Sequence, residues 1–507
     1  MTSLQIFDGI DTIGGNKIYL KENGKGIFLD FGMNFKKYGD FFHQFISPRS
    51  IRGIYDLIYL NLIPKLNIYR DDLIPTDLDI SSYPSLNVEA VLLSHAHMDH
   101  CGNIGLLKPT YPIIASPSTI ILLKAMLDSA STSMLGSDVA YYSPKRIKED
   151  GRILETDRSR DIGRNFICTE QYSSSFSDFL MKSTKSKKNY DMGNLDLLQN
   201  FPSNFKIKAY EVDHSIYGAT AYIISGDKKI AYTGDFRLHG KQGRKSEEFI
   251  KKAKESSILI IEGTRATRED VNESEEKVFE NCLRTAEDAK GLIIADFTAR
   301  NFERLDMFKK IAKKLGRMLI ITLKDAYLLD ALEKANEQVN LNNLTIFRDL
   351  KQVYKGWEKY IMSDNGKIDY IDPVDISKEP EKYICCFSLY DVKNLLDINT
   401  KKGTYIYSSS EAFEEESEFD FIRLKSWLNF FEFTVVGFDV ILEGSKVKPI
   451  FEKGFHASGH LSKSDLIRTI ELINPDILIP VHTDSPDWFY ANFDNTLHID
   501  PNKSYKL

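Results

Sequence analysis

His95-Ala96-His97-Met98-Asp99-His100-Cys101-Gly102 puts three histidines and an aspartate within six positions. The stretch follows the apolar run Ala90-Val91-Leu92-Leu93 and leads into Gly102-Asn103-Ile104-Gly105, a glycine-containing helix start. Imidazoles and a carboxylate crowded at the end of a buried strand need a cation to hold them together. This donor set suits Zn²⁺, Mn²⁺ or Fe²⁺. A histidine-rich surface tract is the alternative, but such tracts do not sit between a strand and a helix start. Cys101 reads as a packing residue, because the residues before it already supply enough donors.

Working outward, further strands end the same way. Gly26-Ile27-Phe28-Leu29 runs into Asp30, a carboxylate too costly to bury without a partner. Phe205 to Val212 runs into Asp213-His214, Lys228 to Thr233 into Gly234-Asp235, Ser257 to Ile261 into Glu262, and Asp476 to Val481 into His482. Several strands that each deliver a ligand-type residue at the C-terminal end imply one site on one edge of a sheet layer. Between 267 and 450 the pattern changes to alternating strands and helices, among them Gly291 to Ala295, a helix near 301–315 and Met318 to Thr322. A capping box at Asn272 and Glu275 opens this part. The alternation predicts a parallel α/β unit inserted into the first fold, since His482 lies beyond it. The expected organisation is therefore 1–266, an insertion at 267–450, and a return to the first domain at 451–507.

With 507 residues, more than one core is expected. No apolar run approaches the roughly 20 residues of a membrane span, and the N-terminus lacks a secretory pattern, so the expected location is cytoplasmic with no membrane partner. Five scattered cysteines form neither a disulfide framework nor a CxxC pair, which fits a reducing compartment. A net charge of −7 argues against bulk attraction to nucleic acid but leaves a local groove open. Lys182, Lys185, Lys187 and Lys188, and then Lys241, Arg244 and Lys245, are the basic clusters visible in the chain.

His95 to His100 matches the HxHxDH signature of the metallo-β-lactamase fold. Glu262, then the insertion, then Phe455-His456-Ala457-Ser458-Gly459-His460 and Pro480-Val481-His482-Thr483 narrow the likeness. The chain resembles the β-CASP nucleases, in particular their ribonuclease J branch. The resemblance implies an α/β fold, a metallo-β-lactamase αββα sandwich with an inserted β-CASP domain. It implies two divalent metal ions, with zinc expected and manganese the alternative. His95, His97 and His214 would hold one; Asp99, His100 and His482 would hold the other; Asp235 would bridge. Asp30 would orient a ligand histidine through its second ring nitrogen. His460 supported by Glu262 would serve the leaving oxygen, Asp99 would belong to the catalytic set, and His456, Ser458 and Arg300 would contact phosphate.

The implied activity is hydrolysis of RNA, expected to be single-stranded, in exo or endo mode. A histidine at position 482 favours the RNA-processing branch over the DNA-repair branch, in which valine is usual. A small-molecule hydrolase, of thioesterase or lactonase type, would need no inserted cover, and a non-catalytic RNA-binding relative would be expected to have lost ligands. Relatives of the bacterial type carry a further C-terminal domain, whereas 25 residues follow His482 here, which leaves a homodimer through that domain in question. Ser408-Ser409-Ser410-Glu411 also lacks the glycine-rich turn expected in the insertion.

Overall fold

The fold is that of a computed structural model, which describes residues 2–507 apart from 44–45, 131–133, 149, 185–187, 270–272, 299, 340, 364–368, 410–414 and 444–445. Two sheets face each other across one core. The larger has eight strands in the order Leu195–Leu197, Phe166–Cys168, Ile113–Ala115, Val88–Leu92, Lys25–Phe31, Lys17–Glu22, Thr2–Asp8 and Ser504–Lys506. The smaller has five: Lys206–Glu211, Thr220–Ser225, Lys229–Tyr232, Ile258–Glu262 and Ile477–Val481.

Alternation along each strand builds the layers. Leu4 and Ile6, Ile18 and Leu20, Ile27 and Leu29, and Ala90 and Leu92 point inward to meet Tyr222, Ile224, Tyr232, Ile260 and Ile479 of the second sheet. The alternate residues Tyr19, Phe28 and Val91 pack outward under the helix Pro117–Ser129 and its surroundings. On the far side, Ala221, Ile223, Ala231, Leu259 and Ile261 are covered by the helices Gly243–Ala253 and Lys463–Ile473. The result is the four-layer αββα arrangement. Residues 131–204, in which the sequence showed no catalytic pattern, supply the last two strands at one side of the large sheet and the small sheet of Asn189–Asp191, Arg160–Gly163 and Tyr141–Tyr142.

The insertion forms a seven-stranded sheet that is parallel throughout, in the order Asp369–Ile371, Thr345–Phe347, Met318–Ile321, Tyr383–Cys386, Ile293–Asp296, Thr404–Tyr407 and Thr434–Val436. Buried apolar runs such as Leu292 to Ala295 are what a sheet covered on both faces requires. Asn272, the expected capping residue, lies outside the described residues. The helix Glu275–Asp288 is capped by Ser274, whose side chain accepts from Lys277 N at 3.1 Å. The two lobes share apolar contacts: Phe179 lies 5.6 Å from Tyr327, and Tyr217 stacks on Phe302 at 6.0 Å. Tyr327 Oη also donates to Asp128 Oδ2 at 2.7 Å. Among the described residues, no helix is long and apolar enough to cross a membrane.

Candidate metal centre

The parallel strands of both sheets end at the same edge, and their loops meet there. His95 and His97 leave Val88–Leu92, His214 follows Lys206–Glu211, Asp235 follows Lys229–Tyr232, and His482 follows Ile477–Val481. Asp30 and His482 both hold a positive φ, of 57° and 52°. L-residues visit that conformation rarely, and it marks backbone bent to aim a side chain. Gly32 makes the close approach possible, because a Cβ there would fall 1.6 Å from the carbonyl oxygen of Asp99.

Two donor groups result: His95, His97 and His214; and Asp99, His100, Asp235 and His482. In the first, His97 Nδ1 faces His95 Nε2 at 2.9 Å and His214 Nε2 at 3.2 Å. The opposite nitrogen of His214, Nδ1, donates to the carbonyl of Gly459 at 2.6 Å, which leaves Nε2 a lone pair. Burial pushes His95 and His97 well below the usual histidine range, and His214 down to about 4. Three neutral rings thus aim at one point, where a single hydrogen cannot serve them all. In the second group, Asp235 Oδ2 lies 3.0 Å from His100 Nε2, 3.6 Å from His482 Nε2 and 3.8 Å from His95 Nε2 of the first group. Asp99 Oδ2 lies 3.0 Å from His482 Nε2.

Asp235 Oδ1 is buried and, among the described residues, has no hydrogen-bond partner. An unsatisfied buried carboxylate oxygen is costly. Together with the converging lone pairs, it is the donor chemistry that a site for divalent cations requires. Burial opposes a charge on His100, yet Asp235, Asp99 and Asp30 together hold its proton well above the usual range, which marks the place where positive charge is wanted.

Residues behind the donors fix their orientation. Asp30 accepts from Ser94 N and Oγ, each at 2.7 Å, from Tyr232 Oη at 2.5 Å and from His100 Nδ1 at 2.7 Å. Thr264 Oγ1 lies 2.9 Å from His482 Nδ1 and 3.2 Å from His460 Nδ1. Ser94, Tyr232 and Thr264 went unnoticed in the sequence because hydroxyls are common; their only signal is a position one to three residues from a donor or, for Thr264, from Glu262. Asp30→Asn is expected to weaken metal affinity about 10–100-fold while the fold persists, measured by competition with a metallochromic chelator. Unchanged affinity would show that Asp30 orients nothing.

Glu262 and His460 come together: Glu262 Oε1 is 3.4 Å from His460 Nδ1, while Leu461 N and Thr264 N donate to the two Glu262 oxygens at 3.2 and 2.9 Å. Burial alone would lower the pKa of His460, but Glu262 and Asp235 raise it above the usual range. Ser458 Oγ accepts from His460 N at 3.2 Å. The phosphate contact expected of His456 does not fit the way this ring is seated. His456 is buried, with Nδ1 2.6 Å from Ser409 O and Nε2 2.6 Å from Gly437 O, so both nitrogens are spent on carbonyls of the insertion. Arg300 Nη1 reaches the carbonyl of Ala96, between the first two histidines, at 3.5 Å.

The residue most completely missed is Arg237. Fully buried, it pairs with Asp213 at 3.1 Å, Glu275 at 3.1 Å and Glu303 at 2.8 Å, and donates to Ser458 O at 3.1 Å. It therefore ties the residue before His214 to the insertion and to the loop carrying His460. Arg304 adds a second tie, to Glu275 at 2.8 Å and to the carbonyl of Phe455 at 3.2 Å.

The profile of the metallo-β-lactamase superfamily matches residues 67–150, the segment that contains the first four donors. That segment is similar to the metallo-β-lactamase superfamily. Similarity to relatives extends well past that segment. Ribonuclease J of Pyrococcus abyssi is 21% identical over 95% of this chain and 90% of its own length, and ribonuclease J of Methanocaldococcus jannaschii is 23% identical over 94% and 90%. A solved structure of a protein of unknown function from Enterococcus faecalis V583 superimposes over the whole of both chains with a TM-score of 0.69 at 22% identity, a likeness of fold.

Beside the donor cluster, a cavity of about 940 Å³ opens between the lobes. Its walls run from Met98, Cys101 and Arg300 to the C-terminal ends of the inserted strands, at Asp296, Thr322, Ser388 and Ser409. This is the crevice in which open parallel sheets bind ligands. Burial pushes the carboxyls of Asp296 and Asp325 up to about 7, so both shed charge near neutrality where they line the groove. A carboxyl whose folded pKa is raised contributes stability below its unfolded value near 4, and that contribution is lost as pH rises through about 7. Asp296→Asn is therefore expected to match the wild type in melting temperature at pH 4 and to exceed it increasingly up to pH 8, read by thermal denaturation. Parallel curves would contradict the assignment.

Proposed function

We propose that this chain is a metal-dependent ribonuclease that hydrolyses phosphodiester bonds of single-stranded RNA in the groove between its two lobes. The observation that carries the reading is the juxtaposition of a seven-donor cluster with a groove whose far wall is built by a second lobe with basic and aromatic side chains. The ribonuclease J relatives along most of the chain support the same reading. Lys324, Lys393 and Arg300 offer charge to a phosphate backbone, and the exposed ring of Tyr390 offers a surface for a base, the combination that binds single strands. We read 1–266 and 451–507 as the catalytic lobe and 267–450 as the lobe that closes over the substrate.

His95, His97 and His214 would hold one ion; Asp99, His100 and His482 would hold the other; Asp235 would lie between. Neutral imidazoles with carboxylates favour zinc and accept manganese. When bound, divalent ions at such a pair supply Lewis acidity to the phosphodiester and lower the pKa of water beside it. The chain's own residues do the rest. Glu262, held by two backbone N–H groups, keeps a proton on His460 through Nδ1, and Nε2 is then free to protonate the departing oxygen. Arg300 and Ser458 stand beside the cluster to position phosphate, and His456 serves by tying the insertion to the loop that carries His460.

One chain supplies all seven donors and both walls of the groove, so the proposed reaction runs in a monomer and in a homodimer alike. Five free, buried thiols fit a cytoplasmic setting. The test is competition between single-stranded RNA and DNA of the same sequence, end-labelled, with metal-loaded protein. RNA is expected to be cut with a kcat/KM at least about tenfold higher, a difference of roughly 1.4 kcal/mol in transition-state binding. Preference for DNA would move the chain to the repair type, and no cleavage of either alongside rapid thioester turnover would make it a small-molecule hydrolase.

A further inference from the structure

The clusters Lys182–Lys188 and Lys241–Lys245 look basic in the sequence, but their described lysines are largely engaged within the protein. Lys188 pairs with Asp161 at 2.8 Å, Lys241 with Asp306 at 3.1 Å, and Lys245 with Glu211; Lys185 and Lys187 lie outside the described residues. A further positive surface is one that the sequence scatters. A cavity of about 420 Å³ is lined by Lys206, Lys208, Lys229, Lys251, Lys252 and Lys254, with Glu255 the one carboxylate in its wall. Lys229 faces that carboxylate at 3.9 Å. Among the described residues, the other five have no ion-pair partner, and all five are exposed.

Lysines on an edge strand are a familiar guard against pairing with another sheet, and Lys206–Glu211 is such an edge. That explanation covers Lys206 and Lys208 only. Lys229 comes from the second strand in from that edge, and Lys251, Lys252 and Lys254 come from the end of the helix packed on the sheet, where Tyr210 meets Phe249 at 6.0 Å. Three separate elements thus bring six ammonium groups to one concavity in a chain whose net charge is −7. Lys251 and Lys252 complement the dipole at their helix end, but that does not account for the gathering of all six, which presents an approaching anion with a concentrated positive field.

We infer that this lysine-lined cavity is a docking site for the phosphate backbone of RNA, separate from the catalytic groove. The inference rests on the ribonuclease reading. Lys206 and Lys229 both sit at register with Ser225, at the opposite end of the strands from His214 and Asp235. At about 3.3 Å per residue, Lys229 is roughly 20 Å from the metal site along its strand. A short oligonucleotide filling the groove does not reach it, whereas a long RNA does. The site therefore adds affinity for long substrates without touching the chemistry. Lysines, as flexible point charges, suit a backbone that is held without regard to sequence.

The experiment compares the wild type with the triple variant Lys206→Gln, Lys208→Gln, Lys251→Gln, using single-stranded RNAs of about 5 and about 30 nucleotides over a range of salt. For the long RNA, affinity is expected to fall about tenfold at low salt, and the slope of log K against log salt is expected to shrink by about 2, at roughly 0.7 for each phosphate no longer neutralised. For the short RNA, kcat/KM is expected to stay unchanged, which also shows that the variant folds. Unchanged long-RNA affinity and slope overturn the proposal, as do equal losses at both lengths. Polyglutamate of matched charge competing as well as RNA would reassign the site to an acidic polypeptide and overturn it too. Lysine-dependent binding of the long RNA by a wild type that cuts no RNA would retain the docking site and reject the catalytic reading.

Discussion

Asp235→Asn lowers kcat/KM for RNA on the order of 10³-fold or more, with the protein still folded. Asparagine fills the same volume and can still accept a hydrogen bond, so the buried strand end that carries it has no steric reason to move. What changes is the charge. Asp235 is the one donor that faces both groups, within 3.8 Å of His95 on one side and of His100 and His482 on the other. Burial would push its carboxyl up, but His100 and His482 hold it well below the usual range. Its second oxygen is the orphaned atom of the cluster. Loss of that charge removes the partner both cations would share, so metal stoichiometry by mass spectrometry is expected to fall together with activity. A variant that keeps both metals and activity within tenfold of the wild type would show that Asp235 does not bridge.

The second large effect falls on stability. Arg237→Met is expected to destabilise the protein by about 3–5 kcal/mol, because it leaves three carboxylates buried or half-buried without their shared cation. Burial pushes Asp213 and Glu303 upward, and Arg237 is the first group that opposes this in each. Arg237→Lys is expected to recover only part of the loss, since an ammonium cannot reproduce a planar fork that serves Asp213, Glu275 and Glu303 at once. Urea unfolding followed by tryptophan fluorescence measures both variants. Coincident curves for wild type and Arg237→Met would mean that the lobes do not depend on this tie.

The sequence made the donors legible because each lies at the end of an apolar strand. Val88–Leu92, Lys229–Tyr232, Ile258–Glu262 and Ile477–Val481 are buried runs flanked by charge, and that contrast survives in one dimension. The inserted sheet was legible where its strands are central. Its edges, Thr345–Phe347, Asp369–Ile371 and Thr434–Val436, have three residues each and too little pattern to distinguish them from loops. Arg237 was hidden for another reason. A buried arginine can be told from an exposed one only by its partners, and Asp213, Glu275 and Glu303 are spread over the chain. His456 was misjudged because a histidine beside a histidine site looks like a ligand until both of its nitrogens are found on carbonyls. The lysine cavity was invisible for the converse of the motif's reason, since its six residues come from three elements.

The most direct test is titration of Zn²⁺ or Mn²⁺ into metal-free wild-type protein with 5′-end-labelled single-stranded RNA present. Cleavage to products bearing 5′-phosphate is expected to appear with the metal, to saturate at two ions per chain, and to disappear on chelation. Two tightly bound ions with the RNA left intact, or cleavage that persists in chelated protein, would contradict the account.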